Sequence, residues 1–509
     1  MDIAKKSISA AKYTALFKSA AQLISVGATI FLIRALSEED FGIYNLLYSF
    51  ISLLGMVASF GLANALQRYI PEYYSKGEFR IADNLYRISS IIRLLSNVLV
   101  LGLGLIFWDH IAPYLKIIAY KNYFMLFTVI ILLHMQRGLL EICLNAFFLQ
   151  KHTQGFAVVF IAIKTVGYAL AILLKMDLWR ILIIDFVAYI FVFVGLQVIY
   201  YKKIPTSGGH LSRFDGNERR RVARYAFFYN FNDAGAGILD TNFDNFIIVM
   251  YLNPLAVGAY AFCNRITRMI IHFNPVNYLQ DIIRPAFFYL GTSMGTREIN
   301  RFYQALVKVN YLFYVPVFIF VLVMGQDIIR FFFGGKFIEY SHVLTGVFLF
   351  STLNSFQMPL GFVAQLKERA ALILYSKVFA AYNIVADIIL IKYFGIWGAV
   401  IATGTAVLGK NLFIFYFVSE EASFKGMGKF FSKIIVFWLI AGAMVFGIRH
   451  LVSNFLVMFS FAVIVFSVGF VLQFRTHLFN DGEKLAIERI GNSHKKLNYI
   501  IKLLRIQPA

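Results

Sequence analysis

Residues 225–289 read YAFFYNFNDAGAGILDTNFDNFIIVMYLNPLAVGAYAFCNRITRMIIHFNPVNYLQDIIRPAFFY. Two long apolar runs flank the turn Leu252-Asn253-Pro254-Leu255-Ala256, which predicts a pair of membrane-spanning helices. The first run carries Asp233, Asp240 and Asp244, seven and four residues apart. At about 100° per residue these carboxylates share one stripe. The second run carries Arg265, Arg268 and His272, three and four apart, on a stripe of its own. Counted outward from the turn, Asp244 and Arg265 fall at equal depth, and Asp240 falls close to Arg268. Charged stripes inside an apolar hairpin are costly unless they face each other or a wet cavity. They are expected to line a path through the membrane. Three acids against two arginines and a histidine leave one surplus carboxylate, and Asp233 is the candidate for coupling to an ion.

The rest of the composition agrees with a membrane setting. The chain has 509 residues, is 60% hydrophobic and has 15% charged residues, with a mean hydropathy of +0.70. A soluble chain carries about 25% charged residues. The apolar residues also come in blocks of roughly 20, the length that spans a bilayer. The net charge of +21 raises nucleic acid as a partner. However, the basic residues sit mainly in short loops and the tail, where they set orientation instead. Cys143 and Cys263 lie inside apolar blocks and suggest neither a disulfide framework nor a metal site. Lys5, Lys6 and Lys12 precede the first block with no cleavage site after it, so an uncleaved first helix is expected.

The fold expected is all-α and polytopic, with about 14 spans. Their limits are 13–34, 41–69, 84–107, 121–149, 155–174, 180–201, 225–251, 257–289, 304–333, 341–365, 371–392, 395–418, 430–449 and 454–474. With the N-terminus cytoplasmic, roughly 30 Lys and Arg fall inside and about 8 outside, which is the expected asymmetry. An even span count also places the C-terminus inside. The expected organisation is an N-lobe over 1–201, a cytoplasmic linker over 202–224, a C-lobe over 225–418, two further helices over 419–475 and a basic tail over 476–509. The linker holds Pro205, Gly208, Gly209 and Gly216. In the tail, Leu497, Ile500, Ile501 and Leu504 repeat at helical spacing among basic residues, as in an interfacial helix.

An internal repeat supports two lobes. Leu36-Ser-Glu-Glu-Asp-Phe-Gly42-Ile-Tyr44 aligns with Leu252-Asn-Pro-Leu-Ala-Val-Gly258-Ala-Tyr260, and the same offset carries Arg68 to Arg284. Both copies sit on an outer turn leading into the second helix of a lobe. The lobes would then be parallel repeats about an axis along the membrane normal.

Several strings together carry a family resemblance. They are Arg34-Ala-Leu-Ser-Glu-Glu-Asp-Phe-Gly-Ile-Tyr, Gly61-Leu-Ala-Asn-Ala-Leu-Gln-Arg68-Tyr-Ile-Pro-Glu72, Asp244-Asn-Phe, Val257-Gly-Ala-Tyr260, Phe332-Phe-Gly334 and Gly395-Ile-Trp-Gly398-Ala. In order and spacing, over about the first 420 residues, the chain resembles the polysaccharide transporter branch of the multidrug/oligosaccharidyl-lipid/polysaccharide flippase superfamily, the Wzx-type O-antigen flippases. The resemblance implies two six-helix lobes forming a V, plus two C-terminal helices. It implies an undecaprenyl-diphosphate-linked oligosaccharide as cargo, moved from the cytoplasmic to the outer leaflet of a bacterial inner membrane for surface polysaccharide such as lipopolysaccharide. A polymerase and a chain-length regulator are the implied partners.

Such a cargo needs fixed cations in a hydrated path, and arginine suits phosphate because its fork binds two oxygens at once. The candidates for the diphosphate are Arg265, Arg268, Arg93, Lys164, Lys377 and Lys410. The acids Asp233, Asp240 and Asp244 are candidates for coupling or gating, to H+ or Na+. Arg93 and Glu141 lie at similar depth in adjoining spans and are candidates to pair. Lys164 has only Asp185 as an evident mate. Lys377 and Lys410 match in depth without an acid beside them, which suits a ligand phosphate. Arg68, Arg284 and Lys308 lie near cytoplasmic ends, where snorkelling to the headgroups is the favoured reading. Pro275, just after Asn274, marks a place where the eighth span would break and expose carbonyls.

No phosphate-binding GxxxxGK[ST] string is present, so no ATP hydrolysis is expected of this chain. No cofactor or metal is expected either. Two other readings compete with the flippase. An ion-coupled multidrug-type antiporter would more often have 12 spans and a less cationic lumen. A polysaccharide polymerase or ligase would need a large external loop, and every external loop here is short.

Overall fold

The structure, a computed structural model, describes residues 3–204, 215–238, 241–291, 294–367, 375–449, 454–473 and 478–485, with Arg369, Leu372, Leu451 and Val452; side chains at 3–16, 75, 228–229, 231–238, 281–282, 285–286 and 289–290 are outside the description. Most of the 202–224 linker and the tail helix around Leu497 therefore lie outside the described residues.

The described residues are helical, joined by turns, with no strand among them. Eleven of these helices, some of them merged across a short break, are long and apolar enough to cross a membrane. They fall on the first six, the ninth, the tenth and the last three of the expected spans, in a multi-pass membrane protein. The first six lie in the helices α1 (Ile3–Ala35), α2 (Glu38–Val57), α3 (Leu62–Ser75), α4 (Phe79–Ile106), α5 (Lys121–Ala146), α6 (Gln150–Leu173) and α7 (Leu178–Lys203). In the seventh, α8 (Gly216–Ile238) and α9 (Thr241–Tyr251) are the described stretches on either side of residues 239–240, which lie outside the description. The eighth is built from α10 (Pro254–Ile271), α11 (Pro275–Tyr278) and α12 (Gln280–Gly291). The ninth is α13 (Thr296–Phe333), 38 residues long. The tenth is α14 (Ser341–Leu353) with α15 (Gln357–Leu366), and the eleventh is α16 (Val378–Phe394), which has 17 residues. α17 (Ile396–Phe417), α18 (Gly428–Arg449) and α19 (Phe455–Gln473) complete the set.

Local chemistry explains where these helices start and stop. Ser37 caps α2: its Oγ accepts from the Asp40 N–H at 3.0 Å and donates to the Asp40 carboxylate at 2.8 Å. Glu38, Glu39 and Asp40 then place negative charge on the positive end of the helix. Asp177 caps α7 in the same way, accepting from the Arg180 N–H at 3.2 Å.

The second expected span, 41–69, is two helices. Phe60 and Gly61 between α2 and α3 take left-handed backbone, at φ 48° and 63°. Gly61 is needed there twice over, because a Cβ on it would also sit 2.0 Å from the Ala226 carbonyl oxygen of α8. The eighth span breaks where Asn274 and Pro275 foretold. The Asn274 side chain caps α11, accepting from the Val276 and Asn277 N–H groups at 2.8 and 3.2 Å. The offset that carries Gly42 to Gly258 also carries the α2–α3 break onto this one.

The chain forms two compact units, Met1–Ala261 and Phe262–Ala509, so that α10 crosses from one to the other. In the first unit, Leu66 and Ile70 of α3, Ala82 of α4, Leu139 and Cys143 of α5, and Val192 and Leu196 of α7 share one buried core. In the second, Phe287 stacks on Phe302 with ring centroids 4.7 Å apart. Trp438 of α18 donates to Gln473 of α19 at 3.1 Å, and Gln473 donates to the Leu312 carbonyl of α13 at 3.3 Å. Cys143 and Cys263 are buried free thiols.

Candidate functional site

The repeated turn brings its two copies together within the first unit. A Cβ on Gly42 would meet the Pro254 carbonyl at 1.8 Å, and a Cβ on Gly258 would meet the Glu38 carbonyl at 2.7 Å. Glu38 and Pro254 occupy the same place in the repeat, so the two contacts mirror each other. The tyrosines that end the repeated strings also act alike. Tyr260 donates to Asp244 at 2.6 Å, and Tyr44 donates to Asp185 at 2.9 Å. Each hydroxyl satisfies a carboxylate that is completely buried.

Of the acidic stripe in residues 225–251, Asp244 is thus fixed in place by Tyr260. The Asp233 side chain and all of Asp240 lie outside the described residues. On α10, Arg265 is half-buried and Arg268 is exposed, as is His272 beyond its end.

The strongest charge cluster lies elsewhere in the first unit. Lys164 of α6 reaches Asp185 of α7 with Nζ 3.0 Å from Oδ1. Three tyrosines complete the carboxylate's shell. Tyr168 donates to Oδ1 at 2.5 Å, while Tyr48 and Tyr44 donate to Oδ2 at 2.5 and 2.9 Å. Each oxygen so receives two donors, which fills its lone-pair directions. The ammonium also lies over the rings of Tyr48 and Phe160, both at 5.3 Å, and of Tyr168 at 5.5 Å. As arranged, Asp185 clasps α2, α6 and α7 together, and a cation could reach it only if Lys164 withdrew. The expected mate of Lys164 is therefore present. The tyrosines were not expected, although Tyr44–Tyr48 and Lys164–Tyr168 are spaced i,i+4 and so share helix faces.

The pairing of Arg93 with Glu141 is not what forms. Glu141 pairs with Arg137, four residues earlier on α5, at 2.7 Å. Arg93, on α4, instead directs Nη2 at the Met135 sulfur, 3.2 Å away. Depth along two helices matched, but the same-helix partner is nearer. Arg137 also stacks its guanidinium on Phe160 at 4.1 Å. A further acid, Asp83, holds Arg87 at 2.9 Å and accepts from Tyr200.

In the second unit, Lys377 directly precedes α16 without a side-chain capping bond, and Lys410 is half-buried on α17. The two are close enough for their charges to act on each other. Asp387 is completely buried on α16 and accepts from Asn383 at 3.0 Å. Lys308 does not snorkel: it is buried and pairs with Glu483 at 2.7 Å. Arg68 pairs with Glu72 at 3.1 Å. Arg284 donates to Gln365 at 2.7 Å. The tenth span is interrupted at Asn354-Ser355-Phe356, just ahead of Pro359, the residue of this span that marks a bend in the sequence. The Ser355 carbonyl freed there accepts from Asn310 at 2.7 Å, and Asn354 accepts from Asn411 at 2.8 Å. Interrupted spanning helices whose freed groups are met by polar neighbours are the kind of element that lines binding cavities in membrane transporters.

Comparison with known proteins places this architecture. The chain is 22% identical over 454 residues to the probable low-salt glycan biosynthesis flippase Agl15 of Haloferax volcanii, covering 89% of this chain and 91% of that protein. Among solved structures it shares its fold with the lipid II flippase MurJ in an inward closed conformation, with a TM-score of 0.65 at 16% identity over 90% of this chain and 99% of that one. A multidrug resistance MATE family transporter of the MOP superfamily, in an inward-facing conformation, gives a TM-score of 0.62 at 13% identity over 78% and 94% of the two chains. Residues 9–276, just over half of the chain, match the sequence pattern described as polysaccharide biosynthesis protein, and the chain belongs to that family.

Proposed function

We propose that this protein is a flippase for lipid-linked glycans, moving undecaprenyl-diphosphate-linked oligosaccharide units from the cytoplasmic to the outer leaflet by alternating access. It is a transporter and not an enzyme. It would reside in a bacterial inner membrane with both termini cytoplasmic, and it would hand its cargo to a polymerase and a chain-length regulator. The observation that carries the reading is the interruption of spanning helices at polar residues in both units, at Ser59–Gly61, at 272–274 and at 354–356. A chain that only anchored other proteins would gain nothing from the desolvation cost of such breaks. Family membership and the glycan-flippase relative point to the same cargo class.

In this reading Arg265 and Arg268 grip the diphosphate, with Arg93, Lys377 and Lys410 as further cations, while Lys164 is held by Asp185 and is withdrawn from that role. Asp233, Asp240 and Asp244 respond to a coupling ion, H+ or Na+. The MATE-like fold favours an ion-coupled antiporter of small molecules as the second reading. The deciding experiment measures transbilayer movement of a fluorescent undecaprenyl-diphosphate oligosaccharide in proteoliposomes. Movement by the wild type, lost in Arg265→Ala and Arg268→Ala, is expected. Movement that survives both changes removes the arginines from the path and leaves the function. Absence of movement in folded wild type under any ion gradient transfers weight to the antiporter.

A further inference from the structure

The second unit holds a cavity of about 390 Å3, a size that accepts a small ligand. Two interrupted helices frame it. Asn277 comes from α11, just past the break in the eighth span. Asn354 lies in the break of the tenth span and Gln357 just after it, while Gln365 comes from the last turn of α15 and Arg284 from within α12. Tyr314, in the middle of α13, supplies a buried aromatic wall.

The lining chemistry is selective. Four side-chain amides line it. That of Asn354 is spent on Phe350, Gly404 and Asn411. The whole amide of Gln357, the N–H groups of Gln365 and the oxygen of Asn277 make no hydrogen bond among the described residues, and they give the mix of donors and acceptors that sugar hydroxyls require. The named lining contains no carboxylate, so it suits a metal or a cationic drug poorly. It is also too polar for an apolar drug. Arg284 is the only cation among the described lining residues. Its hydrogen-bond partner is the neutral Gln365, at 2.7 Å, and no described carboxylate pairs with it. Its remaining donors suit one oxyanion. The scaffold of the break is held by the Asn310–Ser355 and Asn411–Asn354 bonds. Gln357 carries none of that load: it is exposed, and its side chain makes no hydrogen bond among the described residues.

We propose that this cavity is a saccharide subsite, in which Asn277, Gln357 and Gln365 bind sugar hydroxyls beside the Tyr314 ring and Arg284 binds an oxyanion of the same cargo. The proposal rests on the flippase reading and adds to it the place where the glycan is read. The oxyanion is either the diphosphate that links lipid to sugar or an acidic substituent on the sugar.

The test uses full-length protein in nanodiscs and two probes, undecaprenyl diphosphate bearing an acidic oligosaccharide and the same lipid without sugar. Wild type should bind the glycosylated lipid about tenfold more tightly or better. Gln357→Ala should lose most of that preference while binding the sugar-free lipid as before, with an unchanged melting temperature. Arg284→Gln weakening both probes assigns the oxyanion to the diphosphate; weakening the glycosylated probe alone assigns it to the sugar. If Gln357→Ala, Asn277→Ala and Arg284→Gln all bind both probes as wild type does, the subsite is overturned. Wild type that binds the two probes equally overturns the subsite alone. Wild type that binds neither overturns the flippase reading with it.

Discussion

Removing one member of the Lys164–Asp185 pair leaves the other ionised inside the first unit, where their side chains are 10% and 0% exposed. Breaking a buried pair of this kind costs about 3–5 kcal/mol, whereas replacing both ions by neutral groups costs much less. Lys164→Met and Asp185→Asn should therefore each lower unfolding stability sharply. The double variant should be more stable than the sum of the singles implies, by about 1 kcal/mol or more. Denaturant unfolding in detergent measures this, and strict additivity would show that the pair is not the clasp. Glu72 makes a different prediction, because it lies beyond the spanning segments. Partial burial pushes its carboxyl up, but Lys76 at 3.1 Å and Arg221 at 3.1 Å outweigh that and hold it below its usual value. A lowered folded-state value means stabilisation that is complete above the unfolded carboxyl range and lost as pH falls through the folded one. The melting-temperature gap between wild type and Glu72→Gln should be widest near neutral pH and close below about pH 4. A gap that stays constant through acid would dismiss the carboxylate as its source. Lys164 and Asp185 were legible as mates because each is isolated in its own apolar run. The tyrosines around them were not, because sequence gives depth along a helix more readily than direction around it. The same blindness produced the Arg93–Glu141 expectation.

Among the elements, the crossing of α2 and α10 depends on absent side chains. Gly42 and Gly258 let the two backbones touch, and a Cβ at either must displace main chain and not a flexible side chain. Gly55, on the same α2, would place a Cβ within 4 Å of nothing. Gly42→Ala should thus cost about 3 kcal/mol or more and reduce the yield of monodisperse protein. Gly55→Ala should be neutral or stabilising by up to about 1 kcal/mol, the ordinary helix gain. Equal effects in size-exclusion yield and melting temperature would mean that the crossing is not close. The helix breaks show where sequence signals end. Asn274-Pro275 announces a stop and a new cap, since proline cannot continue the preceding turn and asparagine caps well. Pro359 marks the break at Asn354-Ser355-Phe356 from just downstream: without an N–H it cannot bond the Ser355 carbonyl. Asn310 of another helix takes that carbonyl instead, while Asn411 holds the Asn354 side chain. The α2–α3 break hides in Phe60-Gly61, where the left-handed backbone and the close approach of Ala226 from α8 both demand glycine at 61, and no local pattern reports a distant carbonyl.

Across the whole chain, apolar block length made the spans legible wherever a block holds few charges. The eighth block breaks at Asn274-Pro275, and the eleventh forms a helix of 17 residues. The end of the chain holds a link that hydropathy does not reveal. After α19, Leu478 to Leu485 return to α13. There the Leu478 carbonyl and the Glu483 carboxylate accept from Lys308 at 2.9 and 2.7 Å. Glu483 and Asn480 bind each other's backbone N–H, at 2.9 and 2.8 Å, which fixes the carboxylate in place. Lys308 is 7% and Glu483 1% exposed at the side chain, so this is a second buried pair, joining chain positions far apart. Deleting the chain from Leu478 onward would strand the Lys308 ammonium among Phe430 and other apolar groups. The deletion should lower the melting temperature strongly in the native background and far less with Lys308→Met, where no charge is left to strand. If the deletion costs the same in both backgrounds, the tail stabilises the second unit through its apolar contacts, Phe479 foremost, and the ion pair contributes only position.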